Sequence, residues 1–568
     1  MFEKITCETI GSFLGKLKIE KKLLLLLITI LLAGNSFSQY QWGNLDKPWS
    51  VREFRINSKW YYENTVAVIA PGENNKCKNG KIIVMTGQEG PKRKDRRMIV
   101  SDLYTGQANQ QKLNTAIGTD ITLGIDSNIE KLATDNQIIK LNDGSLLAFK
   151  LGFLWSNLNP KPFWWNWFDI AESNYKPGTR DAMFVYKSTD CGVTWDNISK
   201  IDAAKVDAGQ YGIPRIEDIN EDKIQDVNSA GEGLWHSFGL DRQEVYYDKW
   251  TEKIYITTQI GSGGYTKSNG DKVSGIDKKG VLISSDKGKT WKILENGFTD
   301  KSGLVMTTNP NGRFFMFSAS GKGDKGKPIL YFTRNTKDFD LSSLDSINLS
   351  CKKDYPNYPE ISETDLEMHQ ANDHKTFGIA RGYSTDSDAS ASSSIYVSYP
   401  VLNSYGKSEF MIVKVDFKYV AATKKLSVDY KCHAVRASDA SRSLGYGTLV
   451  ESNRQGLDLG EGAALKIDTK TLFFYLESTT GADFTGKEEA AFKGMLINNK
   501  TNDFSPKFFL SKDSNNNDRW FTPGKGIGHY TKGAYFVTFS SQNYVAQWSE
   551  NDGIHVSVVS GVDLLAPQ

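Results

Sequence analysis

Net charge is the first thing this 568-residue chain lacks: 69 Lys and Arg against 67 Asp and Glu leave +2. That balance supplies no field to hold a polyanion such as nucleic acid, and no acidic excess of the kind that solvates a tail. Cysteine is scarce, with five residues, which excludes a disulfide-framed scaffold at this length. Long apolar runs are scarce too. The one conspicuous run, residues 23–33, falls short of the roughly 20 residues that span a bilayer. P-loop, dinucleotide fingerprint, His-Glu-x-x-His, Cys-x-x-Cys and Gly-x-Ser-x-Gly signatures are all missing, and with them the chemistries they serve.

What is abundant is turn and aromatic material. Glycine numbers 50, tyrosine 25 and tryptophan 13, and aromatic residues make up 12% of the chain. Helix-rich runs are few, so the composition predicts an all-β chain with many turns. At the start, Lys16, Lys18, Lys21 and Lys22 precede the apolar run, and Gly-Asn-Ser-Phe-Ser-Gln follows it. Basic, apolar, then small and polar is the order of a secretory signal peptide, here residues 1–38 with cleavage after Ser38. The expectation is a secreted or extracytoplasmic protein, residues 39–568, with no membrane span after cleavage. Cleavage removes Cys7 and leaves Cys77, Cys191, Cys351 and Cys432, whose pairing the sequence leaves open; Cys351 with Cys432 is one candidate.

Two octapeptides repeat the pattern Ser-x-Asp-x-Gly-x-Thr-Trp. One starts at Ser188 and the other at Ser284, 96 positions apart (284 − 188). Half that interval past the second lies a worn copy, with Thr333, Asn335 and Phe339 in place of Ser, Asp and Trp. Apolar, strand-like runs recur near residues 85, 150, 255, 315, 380, 475 and 537, most of them behind a polar turn such as Leu-Asn-Asp-Gly-Ser (141–145). A unit of about 48 residues with hairpin signals in each is the mark of a repeat of four-stranded antiparallel blades. The expected architecture is a six- or seven-bladed β-propeller forming one domain.

The octapeptide resembles the Asp box, or BNR repeat, of the sialidase-like superfamily. In that superfamily the box marks a blade rim rather than the active centre. Its residues agree with a turn-making role: Asp190 and Asp286 to accept local N–H bonds, Gly192 and Gly288 to take positive φ, Trp195 and Trp291 to pack. The resemblance implies a carbohydrate-active enzyme. Sialidases open with Phe/Tyr-Arg-Ile-Pro, and here Phe-Arg-Ile-Asn (54–57) makes Arg55 the candidate first arginine, with Asn57 where the motif has Pro.

The innermost strand of each propeller blade points its start into a central pocket, so functional groups are expected just ahead of the landmark runs. Those segments hold Asp135, His236, Arg242, Glu244 and Arg381. Asp135, Glu244 and His236 are the catalytic candidates, as acid or base. Arg55, Arg242 and Arg381 are candidates to hold a substrate carboxylate. Trp165, in the aromatic stretch 153–169, is a candidate stacking platform. The leading expectation is a glycoside hydrolase acting on acidic or complex glycans. The alternatives are a polysaccharide lyase on uronic-acid glycans and a non-enzymatic glycan- or protein-binding propeller. Asp218, Asn220, Asp222, the Ile224 carbonyl and Asp226 sit at the spacing of a calcium loop, with Lys223 where such loops place Gly. Calcium, in a structural role, is the one cofactor the sequence suggests.

Overall fold

The computed structural model describes residues 50–56, 62–70, 73–78, 80–87, 97–102, 119–122, 129–155, 179–202, 239–262, 265–266, 272–273, 276–293, 305–308, 313–319, 328–333, 344–355, 377–384, 393–403, 405, 407–420, 425–451, 470–478, 491–499, 501–511, 519–531, 534–543 and 553–560. All of it is strand and turn. Among the described residues no helix is long and apolar enough to cross a membrane.

The chain opens with β1 (Ser50–Ile56) and then folds into successive antiparallel sheets. The first is β2 (Tyr62–Ile69), β3 (Lys81–Gly87), β4 (Arg97–Asp102) and β5 (Thr119–Thr122). The second is β6 (Ile129–Lys140), β7 (Leu146–Trp155), β8 (Thr179–Ser188) and β9 (Asp196–Asp202). The third has β10 (Gly239–Asp248) and β11 (Lys253–Ser262), then a separate hairpin of β12 (Tyr265–Thr266) and β13 (Lys272–Val273), then β14 (Ile276–Ser284) and β15 (Lys292–Ile293). The fourth is β16 (Val305–Thr308), β17 (Phe314–Ala319), β18 (Pro328–Phe332) and β19 (Asp345–Asn348). The fifth is β20 (Gly378–Ser384), β21 (Ser393–Leu402), β22 (Ser408–Val420) and β23 (Lys425–Val435). The sixth is β24 (Ser443–Glu451), β25 (Lys470–Ser478), β26 (Ala491–Asn498) and β27 (Phe508–Ser511). In the last sheet β28 (Arg519–Thr531), β29 (Ala534–Asn543) and β30 (Gly553–Ser560) are completed by β1, which pairs with β30 from Ser50↔Ser560 to Ile56↔Ile554.

The landmark runs of the sequence are chiefly the second strands of these sheets. A strand covered on both faces reads as a continuous apolar run, and Leu146, Leu147, Ala148 and Phe149 of β7 are all fully buried. The side chains from facing sheets make shared cores. Ala67, Ile83 and Met85 of the first sheet pack with Leu146, Ala148, Phe184 and Tyr186 of the second. The first strands adjoin one another in cyclic order: β2 meets β6, β6 meets β10, and so on through β16, β20, β24 and β28 back to β2.

Both octapeptides close the hairpin between the third and fourth strands of their sheets, and their bonds are superimposable in kind. Ser188 Oγ and Thr194 Oγ1 donate to Asp190, and the Thr194 N–H adds a third bond at 2.8 Å. The Gly192 N–H donates to Ser188 Oγ, and the Trp195 ring N–H to the Gly192 carbonyl. Asp286, Gly288, Thr290 and Trp291 repeat each of these bonds. Partial burial would raise the carboxyl pKa of Asp190 and Asp286, but the bonds they accept outweigh it and hold both below the ordinary value. Gly192 and Gly288 sit at φ 86, where a Cβ is strained. Their carboxylates are fully engaged in the turn. Asp190→Ala and Asp286→Ala are therefore expected to cost about 1–2 kcal/mol each in urea unfolding and to leave any catalytic turnover unchanged.

The residue after each Asp, Cys191 and Lys287, also adopts positive φ and reaches the first-hairpin turn of the preceding sheet. Cys191 is disulfide-bonded to Cys77 there, and Lys287 Nζ lies 3.2 Å from Asp143 Oδ2. The second disulfide joins Cys351, beyond β19, to Cys432 on β23. Both disulfides therefore lock neighbouring sheets together.

Candidate functional site

Polar side chains of neighbouring first strands meet at two places. A register shift between Asp241 and Glu244 interrupts β10, and Glu244 is the first residue to pair again, opposite Thr257. Gln137 of β6 reaches across to this point. Its side-chain carbonyl accepts from the Val245 N–H, which leaves Nε2 to donate to Glu244 Oε2 at 3.0 Å. Gln137 is itself buried, so the amide is fixed at both ends and aims one N–H at the carboxylate.

Further round, Glu451 at the end of β24 gathers four donors. Arg381 of β20 supplies its backbone N–H and Nε, both at 2.9 Å, together with Nη2. Thr307 of β16 adds its hydroxyl at 3.1 Å. Strands β16 and β24 flank β20, so the bond between them passes across β20 on the central side. The Arg381 side chain is 3% exposed and that of Glu451 19%. The guanidinium carbon also sits 4.2 Å from the ring centre of Trp250, in the turn after β10, a stacking that adds cation–π attraction. Burial alone would lower the Arg381 pKa, but the charges of Glu451 and its neighbours raise it above the ordinary arginine value. Its Nη1 is buried and has no hydrogen-bond partner among the described residues.

Tyr246 of β10 completes the group. Its oxygen accepts from the Thr308 N–H at 3.0 Å and shares a hydrogen bond with Thr308 Oγ1 at 2.9 Å. Burial is the main cause that pushes the phenol up to about 12; Arg381 pulls against it, and Glu451 and Asp248 add to it. Tyr246 is held protonated at neutral pH and is suited to donate a proton rather than to abstract one. Asp248, buried, takes the Trp250 N–H at 3.0 Å and the Thr251 hydroxyl, and so fixes the turn that presents Trp250.

Of the residues singled out from sequence, the structure places Arg381 in this cluster and Glu244 beside Gln137, two residues before Tyr246 on β10. Asp135 lies on β6 within a register shift between Leu132 and Asn136, and Arg242 within the shift on β10. Arg55 lies on β1 opposite His555. The side chains of these three fall outside the described residues, as do His236, Trp165 and the calcium candidates Asp218, Asn220, Asp222, Ile224 and Asp226 altogether. Sequence reasoning missed Glu451, Thr307, Tyr246 and Trp250. Glu451 carried one faint signal, a lone acid closing the apolar run Gly-Thr-Leu-Val.

No family model matches the chain, and no curated protein matches it. Among solved structures it is similar to the WD40 domain of SCAP from fission yeast, with a TM-score of 0.31 and 10% identity over 91% of this chain and 99% of that one. It is also similar to an ulvan lyase of a new polysaccharide lyase family, with a TM-score of 0.35 and 11% identity over 90% and 96% of the two chains. The sialidase of Trypanosoma rangeli, in complex with the inhibitor DANA, gives 0.32 and 7% over 77% of this chain, which spans 58% of the sialidase's length. The residues described above, rather than these likenesses, carry the functional reading.

Proposed function

We propose that the chain is an exported, seven-bladed β-propeller enzyme that cleaves a glycan at the centre of its ring. Seven four-stranded sheets, first strands in cyclic contact, and β1 completing the last sheet support the ring. Two disulfides suit an oxidising compartment.

The single observation that carries the enzyme reading is the ionic cluster on the central face. An apolar plug there would serve a binding scaffold; instead Arg381 and Glu451 pair beside Tyr246, and Glu244, two residues before Tyr246 on β10, bonds to Gln137. Within this reading Glu244 or Asp135 gives a proton to the leaving oxygen. A polysaccharide lyase is the second reading, favoured by Tyr246: a phenol held protonated beside an arginine suits protonation of the leaving oxygen once another base, such as His236, takes the α-proton of a uronate.

The test is incubation with 3′-sialyllactose, an oligoglucuronate and cellohexaose, reading new reducing ends and unsaturated-uronate absorbance. Release from one of them is expected, with Glu244→Gln lowering it about 100-fold or more. Retained affinity without release across all three would leave only a glycan-binding propeller.

A further inference from the structure

The first strands share an irregularity that neither the ionic cluster nor the repeat requires. In β2, Glu63 and Asn64 stand against the single residue Thr86. In β6, Ala133, Thr134 and Asp135 stand against Leu151. In β10, Arg242 and Gln243 stand against Thr258. In β24, Tyr446 and Gly447 stand against Tyr475, and in β28 residues 524–527 stand against Thr538. Regular pairing resumes at Thr65, Asn136, Glu244, Thr448 and Gly528, and in each case runs only three or four residues more to the strand end. The interruptions therefore recur at one height. They also fall on consecutive neighbours, in the order β24, β28, β2, β6, β10. The remaining two first strands differ: β16 pairs without a shift, and the shift in β20 lies at its last residue, Ser384.

Each bulge forfeits ladder bonds and frees extra residues from the pleat, and bulges concentrate beside functional sites for that reason. Five at one level on adjoining strands gather a particular chemistry: two carboxylic acids on neighbouring strands (Glu63 and Asp135), two cations (Arg242 and Lys525), one phenol (Tyr446) and two amides (Asn64 and Gln243). We propose that this arc of bulges is the sugar-contacting tier of the central site, with Glu63 and Asp135 as its carboxylic acid pair. The inference rests on the glycan reading above and deepens it, setting Glu63 beside Asp135, which that reading already names. In the hydrolysis it assigns, one carboxylic acid gives its proton to the leaving glycosidic oxygen as the C–O bond breaks. Water forms the new C–O bond, and the second carboxylate takes the proton that water loses. Glu244 stands directly past the tier on β10, and Glu451 ends β24 beyond it.

The experiment uses the full chain and the three oligosaccharides already named. Glu63→Gln and Asp135→Asn are each expected to lower release about 100-fold or more, with KM changed less than about threefold, while Asp416→Asn on the outer part of the fifth sheet leaves release unchanged. An active parent whose Glu63→Gln variant keeps its turnover overturns the arc and leaves the enzyme reading standing. If the parent binds without cleaving, a loss of affinity of about tenfold or more in Glu63→Ala and Arg242→Ala supports the tier as a binding site, and unchanged affinity overturns it. Neither release nor binding from any of the three overturns both. Should the variants fail to fold, carbodiimide–amine labelling of the parent replaces them: bound oligosaccharide is expected to protect Glu63 and Asp135, and undiminished labelling of both overturns the proposal.

Discussion

Arg381→Ala is expected to lower the unfolding free energy by about 3 kcal/mol at pH 7, the low end of what breaking a buried ion pair costs. Arg381 is 3% exposed and supplies two side-chain nitrogens to Glu451, so its removal strands a carboxylate with only the Arg381 backbone N–H and the Thr307 hydroxyl. The Glu451 side chain keeps 19% exposure, and the water it reaches moderates the penalty. Urea unfolding at fixed ionic strength measures the loss. Two accompanying results are diagnostic. Replacing both partners, Arg381→Leu with Glu451→Leu, is expected to restore most of the stability, because the cost comes from the unpaired charge rather than from the missing pair. The Arg381→Ala deficit is also expected to shrink as pH falls and the stranded carboxylate takes up a proton. A loss below about 1 kcal/mol for Arg381→Ala would mean that the pair is open to solvent.

The second large effect is acid destabilisation through His433. On β23 its ring stacks on Phe504 at 3.8 Å between centroids, in the seam between the fifth and sixth sheets. Burial, and then the charge of Lys507, push its pKa down from 6.5 to about 4. The lowered value means that the folded state binds the proton less readily than the unfolded chain. Its contribution is therefore intact above about pH 6.5 and is lost progressively as pH falls toward 4. A gap of about 2.5 units corresponds to about 3 kcal/mol at the acid end. The urea midpoint is expected to drop between pH 7 and 4.5, and His433→Phe, which keeps a ring against Phe504, to flatten that drop. Asp190, Asp286 and Glu477 also have lowered values, but their stabilisation is present above the unfolded carboxylate range and lost only below it. The window from pH 6.5 to 4.5 thus separates the histidine from these carboxylates. An unchanged pH slope in His433→Phe would refute the assignment.

Much of the fold was legible because its causes are local. Glycine, serine and aspartate at fixed offsets make the octapeptide turns, since each bond closes within five residues and the positive φ demands glycine. Fully covered second strands need unbroken apolar runs, so runs such as Leu-Leu-Ala-Phe betray them without any knowledge of their neighbours. The sheet count stayed at six or seven because the fifth unit has weak signals: its first strand is short and breaks register at its end, so no clear alternation marks it.

The site was legible only where function and position along the strand coincide. Glu244 and Arg381 could be named because polar residues ahead of a landmark run are out of place in a buried strand. Glu451 and Thr307 could not. They lie 144 residues apart in the chain and meet only because two sheets curve past a third. The pairing of Cys77, Cys191, Cys351 and Cys432 was left open for the same reason, as each disulfide crosses a boundary between sheets. The sequence by itself determined the strands, the turns and the repeat, because side-chain periodicity and turn chemistry act over a few residues. Only the tertiary structure decided which charges share the centre and which strands bulge at one height, because those depend on the register and order of sheets that no local pattern encodes.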